Sequence, residues 1–553
     1  MSYHDDQKPE IINPVLSGFN PDPSFIRVDQ DYYLATSTFE WYPGVQIHHS
    51  SDLVNWTLVS RPLNRESLLD MRGNPDSCGI WAPCLSYADG LFWLVYTNVK
   101  RLDGAFKDTP NFITTCETID GIWSDPVFVN SSGFDPSLFH DDDGLKYFVN
   151  QRWNHRGSGT GGNPAHDSFD GIALQEWSPA GGLSGSEYTI FMGTERGLTE
   201  APHLFKRNGW YYLTVAEGGT GYEHAVSMAR SRNIAGPYEP HPDKHLFCVE
   251  DLSHPIQRTG HGQYVETHWG DCYHSFLMGR PLFNSKGNSF CPMGRESGLE
   301  RCYWDDDWLY AESGRMPRVR VPAPDAIVDN KVPNSKTTKA ETCHLFDKPE
   351  LPPEFQWLRT PESSRIFKAG RNGLVLFGRE SVGSWFEQSL VARRQEHHQY
   401  SAETALTFNP LNYQQAAGLT TYYNRHKFHA LLLTHDPSIG RSLIIMSCEG
   451  DYPDSALTFP MTAPCKVTDE QKPLEMKVTV NGLVQQFFWR SEGERNWRSI
   501  GPELDASYIS DEGGRGEHAS FTGAFCGMIA FDQTGQALPS TFKYFNYFAN
   551  PSL

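Results

Sequence analysis

The sequence has no long apolar run. None of its 553 residues falls in a stretch approaching the roughly 18–20 apolar positions that cross a bilayer, and mean hydropathy is −0.51. A membrane-spanning helix is excluded, and no membrane partner is expected. Basic residues are in deficit: 47 Lys and Arg face 67 Asp and Glu, for a formal charge of −20. Phosphate backbones demand local positive charge, so no nucleic-acid partner is expected. The first six residues hold no apolar stretch of the kind a secretory signal needs, and the expected compartment is cytoplasmic. The 11 cysteines include no Cys-x-x-Cys pair with zinc spacing. Reduced, mostly buried thiols are expected.

Aromatic residues are abundant instead. Trp, Tyr and Phe number 15, 24 and 33, or 13%, beside 48 Gly and 37 Pro. That mixture reads as short strands and many turns. Five segments resemble one another, beginning at Asp22, Trp81, Asp135, Glu200 and His261. Each leads through a polar turn into a second aromatic strand. Asp89-Gly90, Asp143-Gly144 and Asn208-Gly209 are strong hairpin signals. A glycine falls nine positions after the start in four of the five segments, and Asp31 fills that place in the first. The starts are 59, 54, 65 and 61 residues apart, enough for four strands with generous loops. An outer strand is read over residues 50–56. The expected architecture is all-β: a five-bladed β-propeller over residues 12–320. A two-sheet sandwich with coincidental hairpins has no reason to keep the nine-residue offset.

In a propeller the inner strand of every blade faces the axis, so equivalent positions ring one mouth. Here they are Asp22, Trp81, Asp135, Glu200 and His261. Each alone has a plain structural explanation. Asp22-Pro23 and Asp135-Pro136 suit turns entering strands, Glu200 an edge strand, and Trp81 and His261 a core. Together they put three carboxylates, an indole and an imidazole in one small region. Gathering charges in that way is costly unless a function holds them there.

The stretches Asn20-Pro21-Asp22-Pro23-Ser24, Ser37-Thr38-Phe39-Glu40-Trp41-Tyr42-Pro43-Gly44-Val45, Gly79-Ile80-Trp81-Ala82-Pro83, Gly133-Phe134-Asp135-Pro136-Ser137, Thr199-Glu200-Ala201-Pro202-His203 and Gly294-Arg295-Glu296 resemble glycoside hydrolase family 43. The likeness is to its two-domain β-xylosidases and covers nearly the whole chain. It implies a five-bladed propeller followed by a β-sandwich, and hydrolysis with inversion. By resemblance Asp22 is the general base, Glu200 the general acid, and Asp135 the carboxylate that orients Glu200 and keeps its proton on. Phe39, Trp81 and Phe134 match aromatic walls of the sugar pocket. Arg295 matches an arginine that binds sugar hydroxyls, and Thr220 is a further candidate. His261 resembles a histidine that binds one divalent cation, Ca2+ foremost, in parts of the family; other branches work without metal. His274 is a second candidate ligand. Family members often form dimers or tetramers, so a homodimer or homotetramer is implied, with no interface legible in the sequence.

After residue 320 the character changes. Residues 321–342 read as a linker. Residues 343–553 return to alternating strands without the blade register, as expected of one β-sandwich. The resemblance makes Phe521 the tip of a loop that this domain lays over the propeller pocket, which implies a dead-end pocket and exo action. Three functions follow from these expectations. One is an exo-acting β-1,4-xylosidase on small xylo-oligosaccharides. The second is an α-L-arabinofuranosidase, or an enzyme with both activities. The third is a catalytically silent sugar-binding propeller, which three matched carboxylates disfavour.

Overall fold

A computed structural model describes residues 9–157, 168–327, 341–451, 454–468, 472–514 and 520–549. Five antiparallel sheets follow one another along the chain, each with strands side by side in chain order. Blade I is Ser24–Val28, Asp31–Thr36, Gln46–Ser50 and Thr57–Ser60. Blade II begins with Gly79–Ala88 and Leu91–Val99, blade III with Ser137–His140 and Lys146–Trp153, and blade IV with Glu200–Arg207 and Trp210–Glu217. Blade V is centred on Cys272–Gly279 and Glu296–Asp305. Inner strands lie against each other between blades I and II, II and III, III and IV, and V and I, while Gln257–Gly260 of blade V packs on Ala225–Ser231 and Glu239–Cys248 of blade IV. The five-bladed propeller is therefore as expected. At Asp89-Gly90 and Asn208-Gly209 both turn residues have positive φ, the backbone of a tight hairpin whose twist matches its strands.

Two local expectations are corrected. The outer strand does not run over 50–56. Asp52 interrupts it, its Oδ1 accepting from the backbone N–H groups of Val54 and Asn55 at 2.8 Å each, and the outer strand is Thr57–Ser60. In blade V the inner strand is split. Gln257–Gly260 and Tyr264–Glu266 both pair with Cys272–Gly279, and His261 sits in the break.

Closure is by the chain's early segment. Glu10–Ile12 pairs antiparallel with Arg320–Pro322, so the first residues read as linker form a strand. Asn13 Nδ2 donates to the carbonyls of Leu299 and Arg318 at 2.8 Å each. Most of that linker, residues 328–340, lies outside the described residues.

Among the described residues, Leu282–Phe283 and Ser289–Phe290 form a separate hairpin, and the strands beyond residue 340 build two eight-stranded sheets, with Leu406, Leu431, Leu433, Met476, Met528 and Phe542 in the core between them. This is the expected sandwich. One edge strand of it comes from the propeller. Trp41–Tyr42 pairs antiparallel with Phe355–Leu358, and Trp41 stacks on Phe525 with ring centroids 3.6 Å apart. Phe19, Phe39 and Trp41 share one buried cluster with Phe428, Leu432 and Phe525. Burying such rings contributes about 2 kcal/mol or more each. Buried ion pairs Arg359–Asp76, at 2.7 Å, and Arg258–Asp511, at 2.6 Å, cross the same junction.

Candidate active site

The five equivalent positions converge on one cavity of about 290 Å³. Asp22, Trp81, Asp135, Glu200 and His261 line it, together with Phe39, Phe134, Thr220, Arg295 and Phe521. Of the residues expected there, only His274 stands apart. It is buried on the adjacent strand, with Nδ1 at 2.5 Å from its neighbour's carbonyl, Ser275 O, and packs on Phe247.

A shared backbone device aims these side chains. At or just after each position the chain takes a left-handed conformation: Asp22, Ala82, Asp135, Ala201 and His261 have φ of 58°, 28°, 53°, 53° and 37°. Registers slip beside three of them, between Trp81 and Cys84, Glu200 and His203, and Gln257 and Gly260. Such breaks turn a side chain out of the pleat and cluster where function needs it.

The carboxylates differ in their surroundings. Asp22 is buried, and both oxygens have fixed donors. Arg295 donates to Oδ1 at 3.0 Å and Ser37 Oγ to Oδ2 at 2.6 Å. His261 Nδ1 stands 3.5 Å from Oδ1. Burial, and then the charge of Asp22, push the Glu200 carboxyl up to about 8, against Arg295 and Lys107. Burial pushes Asp135 well above the ordinary carboxylate range, and the charges of Glu200 and Asp22 add to it. Loss of water around a carboxylate and a like charge nearby both favour the neutral form. The Asp135–Glu200 pair therefore keeps a proton at neutral pH.

Aromatic rings surround these acids. Trp81 lies 5.9 Å from Phe39, 5.5 Å from Phe134 and 6.0 Å from Phe521, centroid to centroid. Arg295 joins Asp22 to the Phe521 loop: besides Asp22 it donates to the Phe521 carbonyl at 3.0 Å. Rings and a fixed guanidinium fork suit a sugar, whose C–H faces are apolar and whose hydroxyls accept hydrogen bonds.

A cation at His261 would find few protein ligands. Burial, then Arg295, push this imidazole down to about 3, so it is neutral. Calcium prefers several oxygens, and among the described residues no three His, Cys, Asp or Glu side chains are arranged to hold an ion. One imidazole does not make a closed ligand set.

Residues 11–309 match the model for glycosyl hydrolases family 43, and residues 343–548 match the β-xylosidase C-terminal concanavalin A-like domain. The chain belongs to glycoside hydrolase family 43. It is 53% identical over 544 residues to xylosidase/arabinosidase 43B of Humicola insolens, covering 98% of each chain. It is 45% identical over 552 residues to a β-xylosidase of Bacillus subtilis strain 168, covering 97% of this chain and 99% of the relative. The crystal structure of a xylan β-1,4-xylosidase from Bacillus halodurans C-125 matches with a TM-score of 0.90 at 43% identity, covering 97% of this chain and 100% of that one.

This family 43 pocket is larger than the sequence suggested. Lys107, Trp153, Phe169 and His224 also line it. Lys107 Nζ lies 4.5 Å over the Trp153 ring, and Trp153 packs on Phe169 at 5.6 Å. A signal for Trp153 and Phe169 was available in the blade topology. The end of a blade's second strand and the start of its third lie at the same edge as the start of the first. Trp153 and Phe169 occupy those two places in blade III. Lys107 sits in a loop, where strand register gives no guide.

Proposed function

We propose that this family 43 hydrolase is an exo-acting, inverting β-1,4-xylosidase that releases D-xylose from the non-reducing ends of small xylo-oligosaccharides. The observation that carries the reading is the placement, in one ring-walled cavity, of Asp22 with donors on both oxygens and Glu200 with its proton retained. The names of the Bacillus relatives support the same substrate.

Asp22 takes a proton from a water molecule as that water attacks the anomeric carbon. The glycosidic C–O bond breaks, and its electron pair goes to the leaving oxygen. Glu200 supplies the proton that this oxygen needs. One xylose of inverted configuration and a shortened oligosaccharide result, with Asp22 protonated and Glu200 ionised until solvent resets both. Paired carboxyl groups acting through a water are the requirement for inversion. Asp135, buried beside Glu200 and raised by that burial and by its charge, takes the orienting role that the resemblance implies. Arg295 holds Asp22 and meets sugar hydroxyls.

The second reading, α-L-arabinofuranosidase activity, rests on the double name of the Humicola relative at 53% identity. Nitrophenyl β-D-xyloside and α-L-arabinofuranoside, assayed side by side, separate the two. Faster xyloside hydrolysis with xylobiose cleavage is expected. Binding without hydrolysis of either glycoside sinks both readings and leaves a silent sugar-binding propeller. NMR of the first product from xylobiose tests the chemistry, since a retained anomer overturns inversion. All 11 cysteines are free thiols, which supports a reducing compartment such as the cytoplasm.

A further inference from the structure

Ser77 is not among the residues that line the cavity, yet two of the cavity's rings depend on it. It is fully buried, just before the inner strand Gly79–Ala88, in a left-handed conformation with φ of 60°. Its three polar groups reach three different parts of the molecule. The backbone N–H donates to Glu40 Oε2 at 3.1 Å. The carbonyl accepts from Trp81 Nε1 at 2.8 Å. The hydroxyl accepts from the backbone N–H of Phe521 at 2.9 Å. One small residue therefore ties a propeller ring to the sandwich ring that faces it.

Its neighbours hold it from both domains. Asp76 is paired with Arg359 at 2.7 Å and stands 3.4 Å from Arg425, two arginines of the sandwich. Glu40 adjoins Phe39, the next ring of the wall. Burial pushes Glu40 up to about 8, so the carboxyl that meets Ser77 is neutral in this interior. A left-handed serine costs energy, and these contacts overdetermine it.

We propose that Ser77 is a positioning residue that sets the spacing of Trp81 and Phe521, and hence how tightly the cavity grips a sugar chain. It touches no substrate; it acts through the two rings. The inference rests on the xylosidase reading of the cavity.

Ser77→Gly isolates the hydroxyl. Glycine adopts positive φ without strain, and the backbone bonds to Glu40 and Trp81 stay available. On xylobiose the variant is expected to raise KM about fivefold, as for loss of one buried hydrogen bond, while kcat changes less than about twofold. In a Phe521→Ala background the same substitution is expected to raise KM by less than about twofold, because coupled neighbours are not additive. An unchanged KM, an effect confined to kcat, or full additivity with Phe521→Ala overturns the proposal. If Ser77→Gly melts early, Ser77→Cys keeps a weak acceptor in place and is expected to give an intermediate KM; a wild-type KM from it sinks the idea. Wild-type enzyme that fails on xylobiose refutes the xylosidase reading instead. The same comparison then runs on the arabinofuranoside, with the same expected KM ratios.

Discussion

At the residue scale, the proposed chemistry rests on two carboxyl groups held in unlike surroundings. Glu200→Gln removes the proton donor without changing shape. Its kcat on xylobiose is expected to fall about 10²- to 10⁴-fold, the usual span for a general acid, and much less on an aryl xyloside whose leaving group needs little protonation. Equal losses on both substrates contradict the acid role. The pH profile offers a second check. The Glu200 carboxyl is raised to about 8, and the acid must be protonated to act. Activity is therefore expected to hold through neutral pH and to fall as pH rises through that value. A limb that already falls below pH 6 speaks against Glu200 as the acid. EDTA addresses His261. A cation held by this imidazole and water predicts lost activity, restored by Ca2+. Full activity in EDTA leaves the ring as a neighbour of Asp22. These acids were legible in the sequence because a repeat marks equivalent places, and equivalence in a closed ring means convergence. Lys107 was not, since no repeat fixes a loop.

At the element scale, kinks and close approaches matter more than regular strands. Gly294 has φ of 62°, and a Cβ there would lie 1.8 Å from Thr522 O. The segment that carries Arg295 and the loop that carries Phe521 thus meet backbone to backbone. Gly294→Ala is expected to push the loop away, lower stability by about 1–3 kcal/mol and raise KM for xylobiose. Thermal melting with steady-state kinetics tests both effects, and wild-type behaviour in the two measurements refutes the contact. Hairpins were readable because Asp-Gly and Asn-Gly turns are local chemistry. The split inner strand of blade V was not readable, because His261 breaks register only through partners on Cys272–Gly279. The strand Trp41–Tyr42 was equally hidden, for its partner lies beyond residue 350.

At the scale of the whole molecule, two domains by sequence share one continuous junction. The sandwich takes an edge strand, a stacked indole and the carboxylate of Asp76 from the propeller. Asp76→Ala leaves Arg359, 1% exposed, buried without its carboxylate, a loss of about 3–5 kcal/mol by analogy with other broken buried pairs. Calorimetry is expected to show one unfolding transition for the wild type and a lower midpoint for this variant. Two well-separated transitions contradict the coupling. The alternation of strands announced two β domains correctly. It could not announce their junction, because a residue that faces a second domain has the same apolar character as one that faces its own core.

On the exo-acting reading, burial across the cavity orders the events. Asp22, Arg295 and His261 are each 4% exposed at its base, while Lys107, Trp153 and Phe169 are only partly buried around it. The sugar bound deepest is the one released from the chain, and the remainder of the substrate lies between it and solvent. The shortened oligosaccharide is then expected to leave first and the monosaccharide last. On that reading free xylose binds the same enzyme form as substrate does, so competitive inhibition by xylose is expected, and each new cut on a long chain begins with a fresh encounter.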